Sequence, residues 1–275
     1  MTGVNWAAVA ASDYVVPKGL NPPDALHELL GMLASPDPAV RDAQAYSTLA
    51  LWTRAGHFDG VLRELGDRAG SGLGNDQVLV RSFSALVLGE VVRRDAQQRV
   101  VGPAVRHLWM EHWQFYYPSE QDVRSYDPDL GWIHAVAHGA DTAREFALHP
   151  ITTPAELNVI LRTVTERLSS LPMPLYQTEE DRIALALLAV LSRTEVPPEG
   201  IRAWLSEYRS LWTPLTFPLS PGVALGIRTL HSLHTLLHLG ATLDGAILRP
   251  AYPAETLKAI QDTLRDVTPY LGQTA

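Results

Sequence analysis

Between Gly131 and Asp141 the chain reads Gly-Trp-Ile-His-Ala-Val-Ala-His-Gly-Ala-Asp. At about 100° per residue on a helix, His134, His138, Asp141 and Glu145 fall within an arc of roughly 60°, and Ile133, Val136, Ala137, Ala140 and Ala147 gather opposite. Such a helix has a core face and a narrow stripe of metal ligands and proton carriers. Two imidazoles one turn apart, with a carboxylate on the next turn, can converge on one ion. His134, His138 and Asp141 are therefore the candidate ligands of a divalent metal. The preceding segment, Tyr117 to Tyr126, adds Glu120 and Asp122 as further ligands or acid–base groups. It also adds Arg124, expected to pair with Asp141, Glu120 or Asp122. The zinc-protease pattern His-Glu-x-x-His is absent, because Ala135 stands where its general base would be. The competing reading is structural, with the histidines hydrogen-bonded to neighbouring helices and Trp132 in the core.

Other clusters are less complete. His231, His234 and His238 can share one face of a Leu-rich helix, but no acid on that helix would orient them. An interhelical face is the simpler account. His107, Glu111 and His112 alternate with Trp109 and Trp113, as on a half-buried amphipathic surface. The run Gly66 to Asp76 is glycine-rich but lacks a Gly-Lys-Ser/Thr ending, so it reads as a flexible connector rather than a phosphate loop. No Gly-x-Ser-x-Gly elbow occurs.

The elements that must position these residues are helices. Apolar spacing of three and four recurs almost everywhere, and alternating strand patterns do not. Helices are expected at roughly 23–34, 38–55, 58–68, 77–94, 99–116, 130–148, 153–170, 178–193, 198–211, 222–239 and 253–267. Val40-Arg41 and Val80-Arg81 open comparable helices 40 residues apart, and similar openings fall near Trp132, Arg182 and Arg228. Helical pairs at this period resemble HEAT repeats, in which stacked pairs bury a continuous core. The expected fold is all-α, a HEAT-like right-handed α-α superhelix, with a compact helical bundle as the alternative. Residues 1–22 would form an N-terminal extension, and residues 23–275 a single solenoid of about five helical pairs. The second helices would then line the concave side, where Arg81 is a better placed ligand contact than Arg41.

Composition narrows the rest. The 275 residues include no cysteine, which excludes disulfides, thiolate metal sites and thiol nucleophiles. A net charge of −8 argues against a nucleic-acid sleeve. The apolar run Trp6 to Ala11 is too short for a secretory signal, and the longest uncharged stretch, Ser210 to Ile227, is broken by three prolines. The expectation is a cytoplasmic protein with no membrane partner.

Several stretches together resemble the bacterial domain-of-unknown-function family 2785. They are Ser35 to Asp42 with Ala45-Tyr46, Val80 to Leu86, Glu120 to Tyr126 with Gly131 to Asp141, and Glu179 to Arg182. The resemblance covers roughly Asp24 to Leu211, and the Trp-x-His-x-x-x-His-x-x-Asp block is its most specific part. Arg124-Ser125-Tyr126 departs from the pattern, which would carry a glycine in the middle. The resemblance implies a recurrent motif block and no established reaction.

Two functions are compatible with these residues. The first is a non-enzymatic helical-repeat protein, a binding module or scaffold, that holds a protein segment or small-molecule ligand in a polar concave groove. That groove would be lined by Arg81, Tyr117, Glu120, Asp122 and Arg124, with Trp132, His134, His138 and Asp141. The alternative is a metal-dependent hydrolase using His134, His138 and Asp141. His134, His138 and Asp141 are expected to share one pocket near Arg81 and Trp132 in either case.

Overall fold

Proline sets where many of the helices begin. Pro22, Pro103, Pro154, Pro198, Pro221 and Pro253 each open a helix, where the missing N–H has no partner to lose and φ is already helical. Thr153 adds a capping box, exchanging hydrogen bonds with Glu156. The computed structural model of the chain describes residues 3–243 and 245–268.

Among the described residues the protein is all-α apart from two short hairpins. Helix α1 (Trp6–Ala11) is followed by α2 (Pro22–Met32) and by a π-helical stretch, Ala39–Tyr46, that runs directly into α3 (Ser47–Ala55). A 3₁₀ turn leads to α4 (Leu62–Gly72), and α5 (Val78–Gln98) and α6 (Pro103–Ser119) follow. Strands β1 (Tyr126–Asp127) and β2 (Gly131–Trp132) pair antiparallel, Tyr126 opposite Trp132. Then come α7 (Ala135–Leu148), α8 (Pro154–Ser169), α9 (Glu179–Leu191), α10 (Pro198–Ser210) and α11 (Pro221–Leu239). A hairpin of β3 (Ala241–Leu243) and β4 (Ala246–Leu248) precedes α12 (Pro253–Val267). No described helix is long and apolar enough to cross a membrane.

Packing alternates along the chain. Helices α3, α5, α7, α9 and α11 lie side by side, and α4, α6, α8 and α10 form a second row against them, with α12 on both α10 and α11. The core runs between the rows, with Trp52, Trp109, Trp113 and Phe146 almost wholly buried. Helix α5 is buried at Phe83, Val87, Leu88, Val91 and Val92, as its central place requires.

Two expectations need correction. The glycine run is not a flexible connector, since Gly66, Gly70 and Gly72 are inside α4. A Cβ at Gly66 would stand 2.2 Å from the Trp109 ring, and one at Gly72 would stand 2.1 Å from Ser84 Oγ. These residues are glycine because neighbouring helices approach closely, not because the chain turns. The helix expected over 130–148 begins only at Ala135, because a hairpin takes its first residues. The first 22 residues contain α1, whose Trp6 is buried against Trp52 at 6.0 Å and donates to Glu28 at 3.2 Å.

Candidate functional site

The hairpin β1–β2 delivers the motif block to α7. Gly131 has φ +73°, and a Cβ there would stand 2.8 Å from Pro38. Only glycine suits a position that is both left-handed and pressed against another segment. Arg41, fully buried in the π-helical stretch, donates to the carbonyls of Leu130 at 2.8 Å and Trp132 at 3.3 Å. It also donates to Ser35 O at 3.2 Å and to Asp42 at 2.8 Å, with its guanidinium 4.9 Å from the Phe83 ring centre. Arg124 closes the other side of the hairpin, pairing with Asp122 and Asp127 at 2.6 Å each. The Ser125 carbonyl accepts from the amides of Ile133 and His134, so the Tyr117–Tyr126 segment folds back onto the start of α7.

The two motif histidines have different surroundings. His134 precedes α7 in the left-handed region, φ +49°, and its ring stacks on Trp132 at 4.4 Å and 6°. Its Nδ1 faces the buried Glu179 carboxylate at 3.5 Å, an ion-pair distance rather than a well-formed hydrogen bond. Burial would push the Glu179 carboxyl up, but His134, Ser125 and the Gln177 amide outweigh it and hold it below the usual range. His138 lies 5.8 Å from His134 between ring centres, and its Nδ1 is 2.7 Å from Ser82 Oγ. The Ser82 hydroxyl already donates to Ile133 O. The network therefore assigns the proton to His138 Nδ1 and the lone pair to Nε2.

His138, Asp141 and Glu145, three members of the stripe, line one cleft of about 280 Å³. Tyr46, Arg54, Leu86 and Glu90 form its far wall, and Arg144 and Arg182 complete it. Every charge has an opposite at hand. Asp141 accepts from Arg144 at 2.7 Å and, from α9, from Arg182 at 2.7 Å. Glu145 accepts from Arg144 at 2.8 Å, and Glu90 accepts from Arg54 at 2.7 Å. Burial raises the Glu145 carboxyl above its ordinary range, with Arg144 opposing. Arg182 and Arg54 are the most open of these groups, at 52% and 44% side-chain exposure, so they form the rim.

The expected groove residues thus fall into separate places. His138 and Asp141 share the cleft, while the exposed Trp132 of β2 stacks on the half-buried His134 outside it. Arg81 is bound bidentately to Glu120, at 2.6 and 2.8 Å, and to the carbonyls of Asn75 and Asp76. Asp122 and Arg124 pair with each other, as one expectation had it. Tyr117 is buried in the core, stacked on Trp113. His134, His138 and Asp141 are not drawn around one point, and both Asp141 oxygens are taken by arginines. Among the described residues no three His, Asp or Glu side chains are grouped to hold a metal ion. Sequence reasoning did not find Arg54, Glu90 and Arg144. Arg144 carried a signal, one turn from Asp141 and next to Glu145, whereas Arg54 and Glu90 meet only through tertiary packing.

The setting of His138 has a consequence in pH. Burial holds its pKa well below the ordinary value, and His134 and Arg182 add repulsion, against the hydrogen bond at Ser82. The unfolded chain takes up a proton as pH falls through about 6.5, while the folded imidazole stays neutral. Stability is therefore lost as pH falls below that point, by up to about 1.4 kcal/mol per pH unit for this one group. In denaturation series between neutral pH and pH ~5, His138→Gln is expected to flatten this slope relative to the parent. Equal slopes would refute the assignment.

The fold and site define an all-α protein of paired helices, with an arginine-pinned hairpin leading into a charge-paired cleft. The chain belongs to the family described as a protein of unknown function, DUF2785, whose family model matches residues 71–237. The match takes in the hairpin and the α5, α7 and α9 walls of the cleft, and leaves Tyr46 and Arg54 outside it. Comparison with curated proteins and with solved structures finds no match.

Proposed function

We propose that this chain is a non-catalytic helical-repeat binding protein. Its five second helices form a HEAT-like superhelix, residues 23–275 are one solenoid, and it works in the cytoplasm on a protein segment or small polar ligand rather than on nucleic acid. The observation that carries the reading is the cleft of alternating arginines and carboxylates around Asp141. A volume of about 280 Å³ suits one charged side chain or a small ligand. Arg182 and Arg54 at the rim can turn to an incoming anion, while Asp141 and Glu90 remain to meet a cation. An incoming group must compete with these internal pairs, so binding is modest and selective for ligands bearing both charges. The metal-dependent hydrolase is the weaker reading, because both Asp141 oxygens are already engaged by arginines.

The test is a thermal-shift screen with amino acids, dicarboxylates and short zwitterionic peptides, alongside an array of short peptides of varied charge. Ligands that raise the melting temperature should bind Arg182→Ala about tenfold more weakly, the loss of one charge-assisted hydrogen bond. Binding that ignores Arg182→Ala, or His138-dependent turnover of ester or phosphoester probes, would overturn the proposal.

A further inference from the structure

Away from that cleft, α11 carries His231, His234 and His238, none of which the proposed function uses. The Nε2 atoms of His234 and His238 face each other across one helical turn at 3.3 Å. From α12, the Gln261 carboxamide nitrogen lies 3.4 Å from the same His234 Nε2. As a hydrogen-bond network this is crowded. With His234 Nε2 as the acceptor, N–H donors from His238 and Gln261 would compete for its one lone pair. Turning the Gln261 amide over, an assignment the network leaves free, places Oε1 there instead. The cluster then presents two imidazole nitrogens and one carbonyl oxygen.

The spacing matches a coordination shell. Ligand atoms held 2.0–2.1 Å from a tetrahedral ion stand about 3.3–3.4 Å apart. The two separations measured to His234 Nε2 are 3.3 and 3.4 Å. His234 is half-buried, with its Nε2 between His238 and Gln261. His238 is exposed, which leaves the remaining coordination positions open to water.

We propose that His234, His238 and Gln261 form a binding site for a borderline divalent ion of the Zn²⁺ or Cu²⁺ class. The site lacks a carboxylate ligand, so the ion is exchangeable and not a permanent part of the fold. It is independent of the Asp141 cleft, and neither proposal needs the other.

The experiment uses the full chain without a histidine tag. Titration calorimetry with Zn²⁺, and electron paramagnetic resonance with Cu²⁺, read the stoichiometry and the number of nitrogen ligands. One equivalent and two-nitrogen coupling are expected. His234→Ala and His238→Ala should each weaken binding by at least about tenfold, and Gln261→Ala by less. His138→Ala should leave affinity unchanged. The spectrum of the parent protein counts nitrogens even where a variant folds poorly. The proposal is overturned by no saturable binding up to about 0.1 mM ion, by a Cu²⁺ signal without two nitrogens, or by loss of binding in His138→Ala but not in His234→Ala.

Discussion

Arg41→Ala is expected to lower the unfolding free energy by about 3–4 kcal/mol, more than any other single charge removal on the hairpin side of the molecule. Two effects add. A fully buried guanidinium leaves a cavity beside Phe83, which costs about as much as removing a large core side chain. The partly buried Leu130 and Trp132 carbonyls lose a charged donor, at about 1 kcal/mol between them. Arg124→Ala is the comparison. Arg124 also grips the hairpin, but its side chain is 42% exposed, so its removal should cost about 1 kcal/mol or less. Urea denaturation of both variants decides the matter. Similar losses from the two would mean that the hairpin is not held from within. A second readout is local: the Trp132–His134 stack should loosen in Arg41→Ala, seen as a shift of the His134 ring protons in the spectrum.

Gly139→Ala should destabilise by about 2–3 kcal/mol while leaving every charged group of the cleft in the sequence. A Cβ at Gly139 would stand 2.2 Å from the Tyr117 ring. That ring cannot step aside, since it is buried and stacked on Trp113, whose indole N–H donates to Gly139 O at 2.8 Å. Helix α7 must therefore move away from α6, and His138, the preceding residue, moves with it. The variant should lose stability and affinity for cleft ligands together. A variant as stable as the parent would show that α6 and α7 are less tightly joined than the ring contact requires. The His-Gly-Ala-Asp sequence thus combines two demands, a polar stripe toward the cleft and a bare backbone toward α6.

The helices themselves were legible, because proline openings and apolar spacing are local signals. So was the stripe of His138, Asp141 and Glu145, whose spacing puts them on one face wherever the helix begins. His134 was misplaced because its left-handed conformation depends on a hairpin that Arg41, about ninety residues away, helps to hold in shape. The glycines of α4 were misread for a related reason. Glycine suggests a turn when neighbours in sequence are considered, and a close contact only when neighbours in space are known. The partners of Asp141 show the same limit. Arg144 sits on its own helix, but Arg182 arrives from α9, and spacing along the chain does not announce it. The six residues of α1 were too few for periodicity to register.

Stacked helical pairs ordinarily communicate only with the next pair, so their ends loosen first and cooperativity decays along the array. The hairpin departs from that pattern. Arg41 lies in the π-helical stretch that runs into α3, yet the carbonyls it holds lie at the threshold of α7, with α5 standing between in the row. This is a fastening between next-nearest neighbours. It couples the fate of the N-terminal pair to that of the middle of the molecule, so that fraying at one end must either stop at Arg41 or carry the central helices with it. The segment that begins at residue 71 therefore depends for its central geometry on a side chain that precedes it.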